Sequence, residues 1–521
     1  MAMLLLPARL GAQGTPGDSV TPPIIQSVQL RREDLFDSSE TIHWYARWVN
    51  SLHVVTRPWV IRRELLFKPG QPWDSALVAE SARNLRRLGH FRSVAIDSIP
   101  TDTGLLVRTT TQDGWTTRLS ASIRSTGNQV GWSFSLYDSN TLGTGIAGLI
   151  GYRQIPDRNV LQLGVAAPRL LFNRIGVRGQ YQALSDGQDA SASLGEPFLS
   201  QAARFSFRLG WRYFQGRILQ FYDGNPIPQD SVQRRLYVVT GDMAHAVATD
   251  RHGYFRVGIA GDVQRDGYRP GPPGPPIPQA TSGTVGPYFE VSRARFEVFR
   301  GFESFDRPED IDLSPSVRLA VFAAPTTFGY SVGGVGPALF LEGGRTLLNR
   351  HGFVTGHLIA GGLITDAGLD SGTTIGTAMA AARYGRHFAL VYASGGLEKG
   401  APPGAEFDLG FSYGPRAFPA HSFTGDRYYF LTAEYRLMLT PDLFRLLGVG
   451  VAAFGDLGGA WYYGTPSRSG SDLGLGLRMG MTRQAELSLL RLDLAWRMPQ
   501  PGVPGGWVFA IGKGFVFQSR E

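Results

Sequence analysis

The sequence predicts an α+β module followed by an all-β, transmembrane, antiparallel barrel, and three observations carry that expectation. Beyond Trp115 the apolar side chains recur every second residue, the period of a strand. Ahead of it, residues 24–113 mix helical and strand periods. No apolar run reaches the roughly 18 residues of a membrane helix, so a membrane protein with this pattern would cross by strands. The composition agrees, since 67 glycines in 521 residues with 12 % aromatic and 18 % charged residues exclude a disordered chain.

Taken in order, residues 1–23 read as a signal remnant and linker. Leu4 to Leu6, Ala8, Leu10, Gly11 and Ala12 resemble the end of an apolar export signal before a small-residue cleavage point, as a start codon placed too late would leave it. A plain disordered tail is the alternative. Gly14 to Pro23 is linker-like. Residues 24–56 form a partial α/β segment, with a strand expected at Ile24 to Leu30 and a helix at Thr41 to Leu52 that lines up Trp44, Trp48 and Leu52.

Residues 57–113 carry a β-α-β-β order. Val60 to Phe67 is a strand candidate closed by Pro69-Gly70, and Asp74 stands where an N-cap carboxylate would accept free amides. The helix Ser75 to Leu88 sets Leu77, Val78, Ala82, Leu85 and Leu88 against Glu80, Arg83, Asn84 and Arg87, and Gly89 ends it in a left-handed position. Strands at Ser93 to Ile99 and Leu105 to Thr111 follow.

Residues 115–521 alternate. Leu119, Ala121 and Ile123 interleave arginine and serine, and Leu490, Leu492, Leu494 and Trp496 interleave Arg491, Asp493, Ala495 and Arg497. A membrane barrel is apolar outward and polar inward with strands of about 9 to 11 residues, whereas a soluble sandwich is apolar inward. Sixteen strands at about 25 residues each fit this length, although the candidate runs number closer to twenty, which leaves a larger barrel or extended loops open. The Pro270 to Pro278 stretch is a loop outside the bilayer.

Several chemistries are set aside. The 51 basic residues exceed the 43 acidic ones by eight, but they are arginines scattered singly, with Lys68, Lys399 and Lys513 the only lysines, so no nucleic acid is expected. Zero cysteines remove disulfide scaffolds, thiolate zinc sites and cysteine nucleophiles. Gly329-Tyr330-Ser331-Val332-Gly333 has nucleophile-elbow spacing, yet strand-like residues follow where that motif needs a helix. His351, His357 and His387 lack metal-ligand spacing. No enzyme activity, metal or cofactor is expected.

Pro72-Trp73-Asp74, Glu80, Arg83-Asn84-Leu85-Arg86, Gly89-His90-Phe91, Val94 and Asp113-Gly114-Trp115 together resemble a POTRA domain feeding a barrel. Pro415-Arg416-Ala417-Phe418 resembles the Arg-Gly-Phe/Tyr motif in the sixth loop of the BamA/TamA outer-membrane assembly family, of the bacterial surface antigen type. Gly425-Asp426, Glu434-Tyr435-Arg436 and Phe454-Gly455-Asp456-Leu457-Gly458 follow as that family's later strands would, and five strand candidates follow Arg416, as in its sixteen-stranded barrel. Ala417 replaces the motif glycine, the chain runs on to Gln518-Ser519-Arg520-Glu521, and only one complete POTRA unit is visible.

The resemblance implies a bacterial outer-membrane location with the N-terminal module in the periplasm. It implies a loop-six lumen anchor built from Arg416, Phe418, Glu434 and Asp456, and a POTRA surface that includes Asp74, Glu80, Arg83, Asn84 and Gly89. It further implies a weakly closed first-to-last strand seam and the assembly or insertion of client outer-membrane or secreted polypeptides, with the lipid bilayer and accessory envelope proteins as partners. A two-partner-type secretion pore and a passive pore are the alternatives. A guanidinium in a water-poor lumen needs carboxylates, and Glu434 and Asp456 lie on the next two strand candidates. The alternative is an exposed loop arginine with Asp456 as a turn residue.

Overall fold

The computed structural model describes residues 22–36, 41–126, 129–155, 157–172, 174–198, 203–221, 230–250, 252–270, 280–305, 307–328, 333–402, 405–410, 413–482, 489–500, 503–513, 515 and 517. Residues 1–21, the loop beyond Pro270, residues 329–332 of the elbow-like motif, and Gln518 to Glu521 lie outside the described residues.

The N-terminal unit comprises β1 Ile25–Glu33, α1 Trp44–Ser51, α2 Pro58–Arg62, α3 Ser75–Arg87, β2 Phe91–Thr101 and β3 Gly104–Asp113. Its three strands form one sheet in the order β1-β3-β2, with β1 parallel and β2 antiparallel to β3. The Asp74 carboxylate caps α3, accepting from the amides of Ala76 at 2.8 Å and Leu77 at 3.4 Å. Gly89 ends the helix at φ +74°, a left-handed position that strains any residue with a Cβ. On the inner face Val78 and Leu85 are buried as the stripe requires, and so is Ser81, whose hydroxyl donates to the Leu77 carbonyl and accepts from the Leu66 amide.

Two expectations are corrected here. Val60 to Phe67 is not a strand: Pro58 sits in the first turn of α2, where its fixed φ suits a helix and its missing N–H costs nothing, and Ile61 is buried with Leu85 and Phe91. Residues 24–56 are not a separate partial segment either. β1 pairs with β3 from Ile25 opposite Leu105 to Glu33 opposite Gln112, because Ile25 needs the cover of Phe67, Val78 and Val107.

The barrel begins with β4 Thr117–Thr126, β5 Gln129–Asp138, β6 Ala147–Ile155, β7 Arg158–Leu171, β8 Ile175–Leu184 and β9 Gly187–Glu196. It continues with β10 Phe205–Gln220, β11 Asp230–Asp250, β12 Gly253–Pro270 and β13 Ala280–Arg293. A hairpin of β14 Phe296–Arg300 and β15 Pro308–Asp312 interrupts it before β16 Ser316–Ala324, β17 Gly334–Leu347, β18 Gly352–Thr365, β19 Gly368–Tyr384 and β20 His387–Lys399. A second hairpin, β21 Phe407–Leu409 with β22 Phe423–Gly425, precedes β23 Arg427–Leu443, β24 Leu447–Trp461, β25 Gly470–Met481, β26 Leu489–Arg497 and β27 Gly506–Lys513.

Apart from the two hairpins, β4 to β27 close into one barrel, which has twenty strands among the described residues and not the expected sixteen. The reason is economy of connection: β8 and β9 have ten residues each and only Ser185 and Asp186 between them, fewer than the allowance behind the lower count. Five barrel strands do follow Arg416, so the extra four precede it, and its loop is the eighth on its end of the barrel instead of the sixth.

Outward positions are apolar and exposed, as at Leu119, Phe134, Leu136, Ile150, Leu161 and Leu163. The inward face departs from a purely polar lumen along β20, β23 and β24. Phe302 of the first hairpin, on the end that carries the N-terminal unit, joins Phe388 and Tyr392 of β20, Phe430 of β23, and Phe418 of the far loop in one buried cluster. The last expected strand, Val508 to Phe517, also stops early. β27 ends at Lys513, Phe515 packs on Phe302 with ring centroids 5.0 Å apart, and Phe517 stacks on Tyr392 at 4.1 Å.

Candidate functional site: the pinned lumen wall and the open seam

On β23 the inward positions are Tyr428, Phe430, Thr432, Glu434 and Arg436, each two residues from the last, so the strand period alone puts the carboxylate and its neighbours in the lumen. The same rule brings Asp456 inward on β24, Asp472 and Arg478 on β25, and Arg491 and Asp493 on β26. All are buried. Asp456 lies opposite Asp472 in the register, two carboxylates that would repel without a cation between them.

Arg416 arrives from the far loop. Its guanidinium takes Asp456 at two points, Nε to Oδ2 at 2.7 Å and Nη2 to Oδ1 at 3.1 Å, and its Nη1 reaches Asp493 at 3.2 Å and Glu434 at 3.4 Å. The ring of Phe454 lies 3.6 Å from the guanidinium carbon. Next along the loop, the Ala417 amide donates to Asp472 at 3.0 Å, and Phe418 is buried against Phe423 at 5.2 Å. Loop and wall are thus joined by backbone as well as side chain.

Sequence reasoning joined Arg416, Phe418, Glu434 and Asp456, and the structure brings all four to this wall. It missed Asp472, Asp493, Arg478, Arg491 and Arg436, which complete the set. Arg478 holds Glu434 at 2.7 Å and Asp493 at 2.6 Å, Arg436 holds Glu434 at 2.6 Å, and Arg491 reaches Asp493 at 3.1 Å. The signal was present in the alternation, because Arg491 and Asp493 occupy the polar positions between outward leucines. Gly476 makes room for this network, since a Cβ there would run into Asp493 and Arg478. Four arginines face four carboxylates, so the wall is balanced in formal charge.

The residues expected on the surface of the N-terminal unit divide. Asp74 and Gly89 shape α3. Arg83 instead lies over the Phe296 ring at 4.6 Å, and Arg86, about one helical turn further on, makes a two-point ion pair with Asp310 at 2.5 and 2.9 Å. The polar face of α3 therefore grips the first hairpin. Glu80 and Asn84 lie on the same helix. Arg307 of the hairpin connection donates to the Phe91 carbonyl at 3.0 Å, and burial lowers its pKa to about 10. Beside this contact opens a cleft of about 480 Å³, lined by Arg92 and Gln112 of the sheet, Arg300 and Phe305 of the hairpin, and Asp442 and Met481 of the barrel.

The barrel closes unevenly. Among the described residues β26 and β27 are aligned at eight positions and β4 and β5 at ten, whereas β27 and β4 are paired at one, Ala510 opposite Arg124. Beyond β27, Phe515 is buried against Phe302 inside the barrel.

No protein-family model matches the chain, and no curated protein matches it in sequence. Among solved structures it is similar to BamA from Haemophilus ducreyi lacking POTRA domains 1-3, at 13 % identity and a TM-score of 0.40 over 94 % of this chain and 84 % of that one. It is similar to CdiB from Escherichia coli at 12 % identity and a TM-score of 0.47, over 98 % of this chain and 93 % of that one. CdiB from Acinetobacter baumannii is similar at 10 % identity and a TM-score of 0.44, over 95 % of this chain and 74 % of that one.

Proposed function

We propose that this chain is an outer-membrane protein whose N-terminal unit, a POTRA-like module on the periplasmic side, receives client polypeptides and delivers them to the β27/β4 seam for assembly or insertion. The seam carries the reading. Strands with unmet amides and carbonyls are templates for another strand, and among the described residues these two share one aligned position where each has eight or ten with its other neighbour. β2 offers a second template at the same end, because it is an edge of the three-stranded sheet. Backbone pairing of this kind accepts many client sequences. The motif resemblance around Arg416 and α3 supports the same reading, and the outward apolar band is suited to a lipid bilayer. A passive pore is disfavoured by the aromatic cluster that runs from the first hairpin to the far loop.

The chain contains no cysteine, so Arg124→Cys with Ala510→Cys places a single cross-linkable pair across the seam. Oxidation should stop client assembly and reduction should restore it. Full function with the seam locked would overturn assembly there and favour the two-partner secretion pore, which moves its partner through the lumen. Deleting residues 25–113 should abolish function in either case. The membrane assignment is tested separately by heat-modifiable migration after extraction from outer membranes, and recovery without detergent would refute it.

A further inference from the structure

The segment from Thr41 to Arg63 contains three of the ten tryptophans, four arginines and no acidic residue. One side of α1 is committed to the protein: Ala46 is buried with Leu35 and Phe36, Trp115 packs beside them, and the Asn50 side chain exchanges hydrogen bonds with the Phe36 backbone. The opposite side carries Trp44, Trp48 and Leu52 at successive turns, and these are 73 %, 60 % and 58 % exposed. An exposed stripe of this kind on a soluble surface is unusual and marks an interaction site.

Its position says with what. The chain leaving α1 lies on the barrel's near rim, where the Arg57 amide donates to the Gly143 carbonyl at 3.0 Å and the Asn140 side chain donates to Thr56 at 2.7 Å. Gly143 and Asn140 belong to the connection between β5 and β6, whose Leu142 is 65 % exposed. Glu64, just beyond α2, is tied to Arg169 at the end of β7 at 2.6 Å, and exposed Leu170, Leu171 and Phe172 follow Arg169 directly. The tryptophan stripe, exposed Val54 and Trp59, and these turn residues thus continue the apolar outer surface of β4 to β8 onto the N-terminal unit. Arg47, Arg57 and Arg62 are exposed along the same segment. Indole rings with arginines and no carboxylates are what a helix needs to lie in an anionic lipid–water interface.

We infer that α1 is a membrane-interface anchor that seats the N-terminal unit on the phospholipid leaflet beside β4 to β8. The inference rests on the outer-membrane reading above. It fixes the unit's orientation, so that the seam flanked by β4 lies next to the anchored side.

Single cysteines at Trp48→Cys and Leu52→Cys, with Asp97→Cys on the exposed face of β2 and Leu136→Cys on the outward face of β5, take a nitroxide label in the cysteine-free full chain. The labelled protein is reconstituted in vesicles of phosphatidylethanolamine and phosphatidylglycerol. Collision with oxygen should exceed collision with a water-soluble nickel chelate at 48, 52 and 136, and the ratio should invert at 97. Adding Arg57→Glu and Arg62→Glu should shift position 48 toward the nickel-accessible side. Nickel access at 48 and 52 equal to that at 97, with 136 still in lipid, would overturn the anchor and leave the barrel reading standing. Nickel access at 136 as well would overturn both. An immobile label at 48 shielded from both reagents would show a protein surface there and overturn the lipid assignment.

Discussion

Arg416→Ala should loosen the far loop through one carboxylate and not through the whole cluster. Without the guanidinium, Glu434 keeps Arg436 at 2.6 Å and Arg478 at 2.7 Å, and Asp493 keeps Arg478 at 2.6 Å and Arg491 at 3.1 Å. Asp456 loses its two-point partner and, among the described residues, keeps the Thr432 hydroxyl at 2.6 Å, the Arg416 amide at 3.2 Å and the neighbouring Asp472 carboxyl. Removing one member of a buried ion pair costs about 3 to 5 kcal/mol, chiefly as the uncompensated charge that stays behind. That penalty falls on Asp456, so a double-mutant cycle of Arg416→Ala with Asp456→Asn should give a coupling of about 2 to 3 kcal/mol. The cycle with Glu434→Gln should stay below about 1 kcal/mol, because the 3.4 Å contact is one of several that Glu434 makes. Lysine at 416 should rescue little, since a compact ammonium cannot span both Asp456 oxygens. The loop's opening is measured by limited proteolysis of the folded, heat-modifiable barrel in detergent. Coupling to Glu434 as large as that to Asp456, or additivity in both cycles, would refute the assignment of Asp456 as the anchor.

Three further outcomes follow from buried groups outside the membrane-spanning strands and from the first hairpin. Asp113 is buried, which raises its carboxyl from 3.8 to about 6 despite hydrogen bonds from Thr56 at 2.6 and 2.8 Å. Its protonated form therefore supports the fold fully below about 3.8, and that support is lost as pH rises through about 6, by about 3 kcal/mol at most. Asp113→Asn should raise the melting temperature of the N-terminal unit at pH 8 and leave it nearly unchanged at pH 4. His90, lowered to about 3 by burial, acts in the opposite sense in both proteins and cancels in the comparison. Burial pulls His421 down, but its hydrogen bonds to Asp157 and Asp408, at 2.7 and 2.6 Å, raise it to about 9. The far loop should accordingly be held fully below about pH 6.5 and become protease-sensitive as pH rises through about 9, a dependence that His421→Gln should abolish. Phe302→Ala should destabilise the barrel by about 3 to 5 kcal/mol in urea unfolding and free Phe515 from the lumen, because it removes a ring packed on Phe353, Phe388 and Phe515.

What could be read from the sequence was whatever strand and helix periods encode locally. The caps at Asp74 and Gly89 and the alternation after Trp115 follow from spacing, while the meeting of Arg416 with Glu434 and Asp456 was implied by the motif resemblance and consistent with charge. Val60 to Phe67 reads as a strand from its apolar ends, Val60-Ile61 and Leu65-Leu66-Phe67, until Pro58 and the burial of Ile61 against α3 are considered together. The parallel pairing of β1 with β3 joins residues 79 or 80 positions apart, and no local signal records it. The strand total failed for a different reason: turn length, not strand length, sets how many strands fit, and the β8–β9 turn has two residues. The first hairpin was invisible as a lumen element, since its Phe302 and Phe305 carry no periodicity and acquire meaning only against Phe388, Met438 and Leu489.

The N-terminal unit holds the barrel on both sides of the seam, and the two grips are unequal in what they hold. Through Arg86 and Asp310 it grasps the first hairpin, whose Phe305 packs with Met438 of β23 and Leu489 of β26, on the wall pinned by the arginine–carboxylate cluster. Through Thr56 and Asn140 it grasps the β5–β6 connection, on strands that carry no such cluster among their described residues. A wall crossed by several buried ion pairs has two discrete states, intact or broken, whereas short strands with few cross-links deform by degrees. Displacement of the unit should therefore move β4 to β6 away from a fixed β27. Hydrogen exchange on the reconstituted protein should show amides of β4 and β6 exchanging well ahead of those in β23 to β25, with the gap narrowing when Arg416→Ala weakens the wall. Equal protection on the two sides in the unaltered protein would mean that the seam opens symmetrically, and the cluster would then be a loop anchor with no part in directing the motion.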